Sequence, residues 1–374
     1  MTTPMRIVQI APEIAPGTGV GAVAFELEEQ FRAKGVATER FTLSEARGRP
    51  TRPSRSRLGH AWDVVWFSTV GTRRARRFLA ERPGAVSICH NDVMAGDIYV
   101  NHGFLPAAMR ARGAYAWRML RNPLHLFTTT RDGIRYRGRT HEAVVVLTSV
   151  EEQLLTEAYP TAQSELAVIG NGVDLDRFRV STPAERAAAR RELGYADDQY
   201  VVAFIGHEFD RKGFPMLRDA LRRTPPEVVL LVVGGTARMI SHARTAVDRL
   251  GLGARVQFAG SHPDVVPFLR AADAFALPSA YESSGLVFLE ALAAGVPVIA
   301  PPVGVVPDVI EDGVNGVIAE RDAEATAAAI VRLKAGDRGA QSAAARASVM
   351  RFGWSGIADD YLTLARTVAE RKTR

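Results

Sequence analysis

Two glutamates eight positions apart, Glu282 and Glu290, are the most chemically informative pair in this chain. They lie in Tyr281-Glu282-Ser283-Ser284-Gly285-Leu286-Val287-Phe288-Leu289-Glu290, which continues through Ala291-Leu292-Ala293-Ala294-Gly295. Pro278 to Gly285 is rich in turn formers and Leu286 to Ala294 is an unbroken run of helix formers, so a helix is expected to begin near Gly285. Its first amides, at Leu286 and Val287, have no partner within the helix and carry the positive end of its dipole. An anionic phosphate can rest there, and Gly285 lets it approach the backbone. Glu282 precedes this terminus, and Glu290 sits two turns on, roughly on the face of residue 286 or 287. A phosphate cradle, a hydroxyl acceptor and a second acid together suggest a sugar nucleotide. The plainer reading is that Glu290 salts a helix face and Glu282 is a solvated loop charge, since such spacing is common by chance.

Other residues offer matching chemistry. An expected strand ends at Gly206 and is followed by His207-Glu208-Phe209-Asp210-Arg211-Lys212-Gly213, where Lys212 could lay an ammonium over a pyrophosphate. Taken alone, Arg211-Lys212 also reads as a surface pair at a helix start. Near the N-terminus, Gly17-Thr18-Gly19-Val20-Gly21-Ala22 satisfies the weaker GxGxxA dinucleotide fingerprint, which makes an NAD-dependent oxidoreductase the natural rival. Against it, Gly17 comes six residues after Ala11 rather than in a tight turn, and only Glu45 is placed to take a ribose. In Asp97-Ile98-Tyr99-Val100-Asn101-His102-Gly103 a histidine stands just beyond a short strand; His90, before Asn91-Asp92, is a weaker candidate.

In combination these segments resemble the retaining glycosyltransferases of family 4, which have the GT-B fold and a Glu-x7-Glu element. The resemblance implies that Glu282 lies near the donor sugar and that Glu290 binds ribose hydroxyls. Ser284 stands where most members have Phe, which alters the floor of the sugar pocket. Lys212 matches a diphosphate-binding lysine. The usual arginine is replaced by His207, so either His207 donates a hydrogen bond or Arg211 substitutes. Backbone groups around Ser261 and His262 are implied to meet the base, and Gly19-Val20-Gly21 to close over the donor diphosphate, with Thr18 where a first glycine is usual. His102 is assigned to the reaction centre by the same resemblance. Asn171-Gly172-Val173-Asp174 matches the turn leading to a hinge, so Asp174-x-Asp176 is not read as a metal site. Phe352-Gly353-Trp354 resembles the start of a terminal helix that crosses back to the first domain. No metal and no tightly bound cofactor are implied.

The elements that position these residues alternate β and α. Strands are expected at Arg6 to Ile10, Thr38 to Leu43, Val64 to Phe67, Val86 to Cys89, Ile98 to Val100 and Val144 to Thr148. A second series runs Tyr200 to Ile205, Val228 to Val233, Arg255 to Phe258, Ala274 to Ala276 and Pro297 to Ile299. The fold class is therefore α/β, as two Rossmann-like parallel-sheet domains facing a central cleft: residues 1–178 for the acceptor, with helix 356–374 packing back on it, and 179–355 for the donor. The polar stretch Asp174 to Arg191 is the expected linker. A length of 374 residues and 47% hydrophobic content suit two cores. No apolar run approaches the roughly 20 residues needed to span a bilayer, and the first residues lack the form of a signal peptide, so a cytoplasmic enzyme is expected. The single Cys89 leaves no intramolecular disulfide.

The net charge of +6 is concentrated in the N-terminal half, at residues 48 to 57, Arg73 to Arg77 and Arg110 to Arg139. Arg73, Arg74, Arg76 and Arg77 accompany Phe78 and Leu79, and further arginines interleave with Met109, Trp117, Met119, Leu120, Leu124 and Phe127. Either segment could lie on an anionic membrane surface at the inner face, or simply pack as a surface helix; a nucleic-acid partner is not expected. The expected activity is transfer, with retention, of a hexosyl-type sugar from a nucleotide diphosphate sugar, UDP foremost, to a hydroxyl of a glycan, glycolipid or small molecule. The alternatives are the NAD-dependent oxidoreductase and a non-catalytic sugar-nucleotide-binding partner.

Overall fold

The computed structural model describes residues 5–17, 19–54, 56–162 and 164–373. Thr18 of the glycine-rich loop, Arg55 of the first basic cluster and Arg374 lie outside them. Two compact units form, Met1–Gly172 with Trp354–Arg374, and Val173–Gly353.

In the first unit, β1 (Arg6–Ile10), β2 (Ala37–Phe41), β3 (Ala85–His90), β4 (Ile98–Val100), β5 (Ala143–Val146) and β6 (Glu165–Val168) make one parallel sheet in the order β2-β1-β3-β4-β5-β6. In the second unit, β7 (Tyr200–Ile205), β8 (Val228–Val233), β9 (Val256–Gly260), β10 (Ala274–Ala276), β11 (Val298–Ala300) and β12 (Gly316–Ile318) pair in parallel in the order β12-β11-β10-β7-β8-β9. The central strands are buried on both faces, which is why β8 is a pure Val-Val-Leu-Leu-Val-Val run. Each chain path leaves its first strand in one direction and later returns to the opposite side. The reversal falls between β1 and β3 in the first unit and between β7 and β10 in the second. Loops on either side of such a reversal diverge and leave a crevice beyond the strands' carboxyl ends.

The final helix, Trp354–Thr373, belongs to the first unit and packs on the helix Val20–Ala33. Lys34 pairs with Asp359 at 2.9 Å, and Lys372 with Asp97 at 2.9 Å. In the second unit the helix Pro183–Leu193 starts with a reciprocal Thr182–Glu185 cap. It is anchored to β10 through the buried Asp273, which accepts from Arg186 at 2.6 Å, Arg190 at 3.1 Å and the Val201 amide at 2.8 Å.

Several sequence expectations are corrected. Val64 to Phe67 is not a strand: it lies in the helix Arg57–Trp66 and the wider turn Phe67–Gly71 that leads into the helix Thr72–Ala80. A four-residue apolar run fits a strand and one face of a helix equally well; here the Ser56 hydroxyl caps the helix by accepting from the Gly59 amide at 3.1 Å. The supposed linker 174–191 ends inside the helix Pro183–Leu193, with Arg190 buried. Thr38 to Leu43 breaks at Thr42, whose reciprocal cap with Glu45 starts a short helix. Short strands β6 and β12 had no expectation in the sequence.

Of the two arginine-rich amphipathic segments, the helix Thr72–Ala80 turns its apolar residues inward. Phe78 lies 5.2 Å from Phe41, and Leu79 packs on the same core. In the second segment Met109 and Met119 are buried, whereas Trp117 and Leu120 are 55% and 71% exposed. No helix among the described residues is long and apolar enough to cross a membrane.

Candidate functional site

The reversal between β7 and β10 brings together most of the residues expected to hold the donor. Beyond β7 the chain turns at Gly206, where a Cβ would fall 2.3 Å from the Lys212 side chain, so only glycine lets that stem lie across the strand end. The short helix Phe209–Lys212 then ends at Gly213, with φ +85°; a Cβ there would meet the Pro278 carbonyl oxygen at 2.2 Å. Thus the loop after β7 is pressed directly against the loop after β10, and the Ala280 amide donates to the Arg211 carbonyl at 2.9 Å.

Side chains complete the junction on one carboxylate. Glu282 Oε1 accepts from Ser279 Oγ at 2.8 Å and meets Lys212 Nζ at 3.2 Å and Arg211 Nη1 at 3.3 Å. Arg211 is also held by Glu208 and by the Tyr281 carbonyl. Its guanidinium is therefore committed to the loop and to Glu282. His207, directly after Gly206 in the same loop, is exposed.

Gly285, at φ +76°, caps the helix Leu286–Ala293 with its backbone alone. Phe288 N donates to the Gly285 carbonyl at 2.8 Å. Among the described residues nothing accepts from the Leu286 and Val287 amides, as a helix start requires unless a ligand supplies the acceptor. Ser284 is buried, its Oγ has no partner among the described residues, and its carbonyl accepts from Val305 N at 2.9 Å. Glu290 follows on the same face as Leu286 and Val287. Burial lifts its carboxyl to about 7, partly offset by the charge of Arg177, which is itself paired with Asp264 at 2.9 Å.

Ser261 and His262 stand farther off, after β9, two strands beyond β7. Both are exposed, and the His262 Nε2–H donates to the Ala259 carbonyl at 2.9 Å. The end of β9 is joined to that of β8 by Gly234 N donating to the Gly260 carbonyl at 2.6 Å. Ser279 and Arg177 lie in segments that match the resemblance, but their sequence context alone assigns neither a role in the site.

In the first unit, Gly19 caps the helix Val20–Ala33 at φ +80°, and Gly21 lies where a Cβ would meet the Glu13 carbonyl oxygen at 2.7 Å. Glu45, the acid available to a dinucleotide ribose, accepts from the Thr42 amide at 2.7 Å and the Thr42 hydroxyl at 2.6 Å, so it is already engaged in a helix cap. Asp174 likewise serves its own turn, accepting from the amides of Asp176 at 3.1 Å and Arg177 at 2.9 Å. Cys89 is buried and its thiol is pushed up to about 12, an inert side chain at neutral pH. His102, just after β4, is half-buried; its Nε2 lies 2.9 Å from Nδ1 of His90, whose Nε2 lies 2.7 Å from Gln9 Oε1. Gln9 was not anticipated, although a polar residue inside Arg6-Ile7-Val8-Gln9-Ile10 is the available signal.

The raised value of Glu290 has a sign. Protonated Glu290 is favoured by the fold, so its contribution is fully present below the ordinary glutamate value of about 4.3 and is lost as pH rises through about 7. Urea unfolding without ligand should therefore show Glu290→Gln gaining stability relative to the parent protein from about pH 5 to about pH 8. A difference that stays flat across this window contradicts the burial of that carboxyl.

Residues 199–335, which contain the whole β7 to β10 junction, match the family described as Glycosyl transferases group 1. The chain is 34% identical over 240 residues to D-inositol 3-phosphate glycosyltransferase of Mycolicibacterium smegmatis, covering 62% of this chain and 55% of the relative. It thus spans about half the length of the curated relatives it matches. Among solved structures, sucrose-phosphate synthase from Thermosynechococcus elongatus aligns with a TM-score of 0.76 and 22% identity, over 97% of this chain and 99% of that one. HepE of Anabaena, in complex with UDP-glucose, aligns with a TM-score of 0.67 and 22% identity, over 97% and 99%. The chain therefore has the GT-B fold, and residues 199–335 of its second unit resemble a group 1 glycosyltransferase domain.

Proposed function

We propose that the protein is a retaining glycosyltransferase that moves a hexosyl group from a nucleoside diphosphate sugar, UDP foremost, to an acceptor hydroxyl. The observation that carries this reading is the junction at the β7–β10 reversal, where Lys212 meets Glu282 beside a helix start that has no side-chain cap, with Glu290 two turns beyond. Such a site offers a cation and two backbone amides to a diphosphate, and a carboxylate to the ribose. The matched group 1 domain and the UDP-glucose complex of the Anabaena protein support a sugar-nucleotide donor.

In this reading, the C1–O bond to the β-phosphate breaks and a C1–O bond to the acceptor hydroxyl forms on the same face. The hydroxyl proton ends on the departing diphosphate. Lys212 and the amides of Leu286 and Val287 stabilise the charge that develops there, which is electrostatic catalysis by groups already in position. Arg211, held by its own loop, positions Glu282 and leaves the second diphosphate contact to His207. Glu282 orients the sugar, and Glu290 takes the ribose hydroxyls. Ser261 and His262 border the base through their backbone, while Gly19, Gly21 and His102 of the first unit act on the sugar and the acceptor. No tightly bound cofactor takes part.

The same chain is proposed to work at the inner face of a membrane and to rest on anionic lipid through Trp117 and Leu120. Arg121, 4.7 Å over the Trp117 ring, and neighbouring arginines would meet the headgroups.

Two measurements test these roles. UDP should raise the melting temperature, and Lys212→Ala and Glu290→Ala should each weaken UDP binding by roughly 10-fold or more, the scale of a lost charge-assisted hydrogen bond. Normal affinity in both variants, or stabilisation by NAD(H) in place of UDP, contradicts the donor site. In flotation assays the protein should bind vesicles containing anionic lipid, less so at high salt and less with Trp117→Ser and Leu120→Ser combined; binding unaffected by salt and by both changes sinks the membrane reading.

A further inference from the structure

We propose that Gln9 and His90 are positioning residues that fix His102 in its Nε2–H tautomer, leaving Nδ1 as a hydrogen-bond acceptor for a hydroxyl of the bound sugar ligand. The role of His102 toward a sugar rests on the function proposed above; the tautomer does not.

The Ala24 carbonyl can only accept, and it lies 2.9 Å from the Gln9 amide nitrogen, so that nitrogen faces Ala24 and the amide oxygen faces His90. At 2.7 Å from Gln9 Oε1, His90 Nε2 must then carry its proton. His90, the last residue of β3, is completely buried, and burial drives its basicity far below the ordinary histidine range; His102 falls to about 4. Both rings are therefore neutral near pH 7, with one proton each. The proton of His90 is on Nε2, so its Nδ1 holds a lone pair and accepts from His102 Nε2–H across 2.9 Å. One proton then remains for the whole of the His102 ring, and it is spent. His102 Nδ1 presents a lone pair; among the described residues no group pairs with it, and it is not among the buried polar atoms left unsatisfied.

The topology explains why these three residues meet. Gln9 is in β1, His90 ends β3 and His102 follows β4, three strands adjacent in the sheet order and spanning the reversal of the first unit. A polar chain inside an apolar sheet is costly unless each member is satisfied, and here each contact has one donor and one acceptor. The chemical consequence is a restriction. His102 can receive the hydrogen bond of a sugar hydroxyl, but it has no Nδ1 proton to give to a departing phosphate.

Ring nitrogen NMR on the full chain labelled with 15N-histidine tests this directly. His90 and His102, identified through His90→Asn and His102→Asn, should each show a protonated Nε2 and a bare Nδ1 in the unsubstituted protein. A proton on Nδ1 of His102 overturns the proposal, and this spectrum decides even if a variant fails to fold. In Gln9→Leu, His90 loses its acceptor and is free to turn its proton toward His102. The His102 signals should then shift to the average of two tautomers, and kcat with UDP-glucose should fall about tenfold or more with a smaller change in KM, as expected of lost orientation. His90→Asn keeps an amide oxygen able to accept from His102 Nε2–H and should retain more of kcat than His90→Leu. Unchanged His102 signals in Gln9→Leu, or equal losses in the two His90 variants, contradict a positioning role. Absence of turnover with every sugar nucleotide, with the expected tautomers intact, would instead strike at the proposed function alone.

Discussion

One carboxylate oxygen ties the second unit's site together. Glu282 Oε1 receives Ser279 from its own loop and Lys212 and Arg211 from the loop after β7, so two loops that diverge at the strand reversal are sewn across it. Hydrogen bonds to charged groups are worth about 1.5–3 kcal/mol each, enough to hold a short loop in one arrangement. The backbone constraints follow from this pairing. Gly206 makes room for the lysine stem and Gly213 for the Pro278 carbonyl; either close approach would be blocked by a Cβ. What the pairing presents is the Gly285 helix start, with its unpartnered amides beside a lysine whose charge is balanced only until an anion competes for it.

The first unit solves a related problem with neutral groups. Its reversal lies between β1 and β3, and an amide and two imidazoles, Gln9, His90 and His102, are hydrogen-bonded in a chain across it. Burial keeps the histidines uncharged, so they orient one another and repel no neighbour. In the second unit the same burial acts on Glu290 in the opposite sense of charge, raising its carboxyl to about 7 and making ionisation there sensitive to a ligand.

Much of the architecture was legible in the sequence because buried parallel strands are long and apolar. Val228 to Val233 and Tyr200 to Ile205 were readable residue by residue, and Gly285 marked the helix start through a change of composition. Val64 to Phe67 was misread because four apolar residues carry no period of their own; the helix is set by the Ser56 cap and by Phe67 packing inward. The edge strands β6 and β12 are three or four residues long and partly exposed, which removes the apolar signal. In the site, Lys212 and Glu282 were visible as charges at strand ends, but their contact was not, since it depends on the Gly213 approach to Pro278. The commitment of Arg211 to Glu208 and Tyr281, and of Glu45 to its cap, likewise depends on local geometry that composition does not carry.

The Gly285 helix start, beside Lys212 and Glu282, is the proposed seat of the diphosphate. Hydrogen–deuterium exchange with and without UDP reads those amides directly. Protection concentrated at Leu286 and Val287 and at the loop 206–213 is the expected result. Binding of UDP that protects other segments and leaves those amides exchanging as before would contradict it.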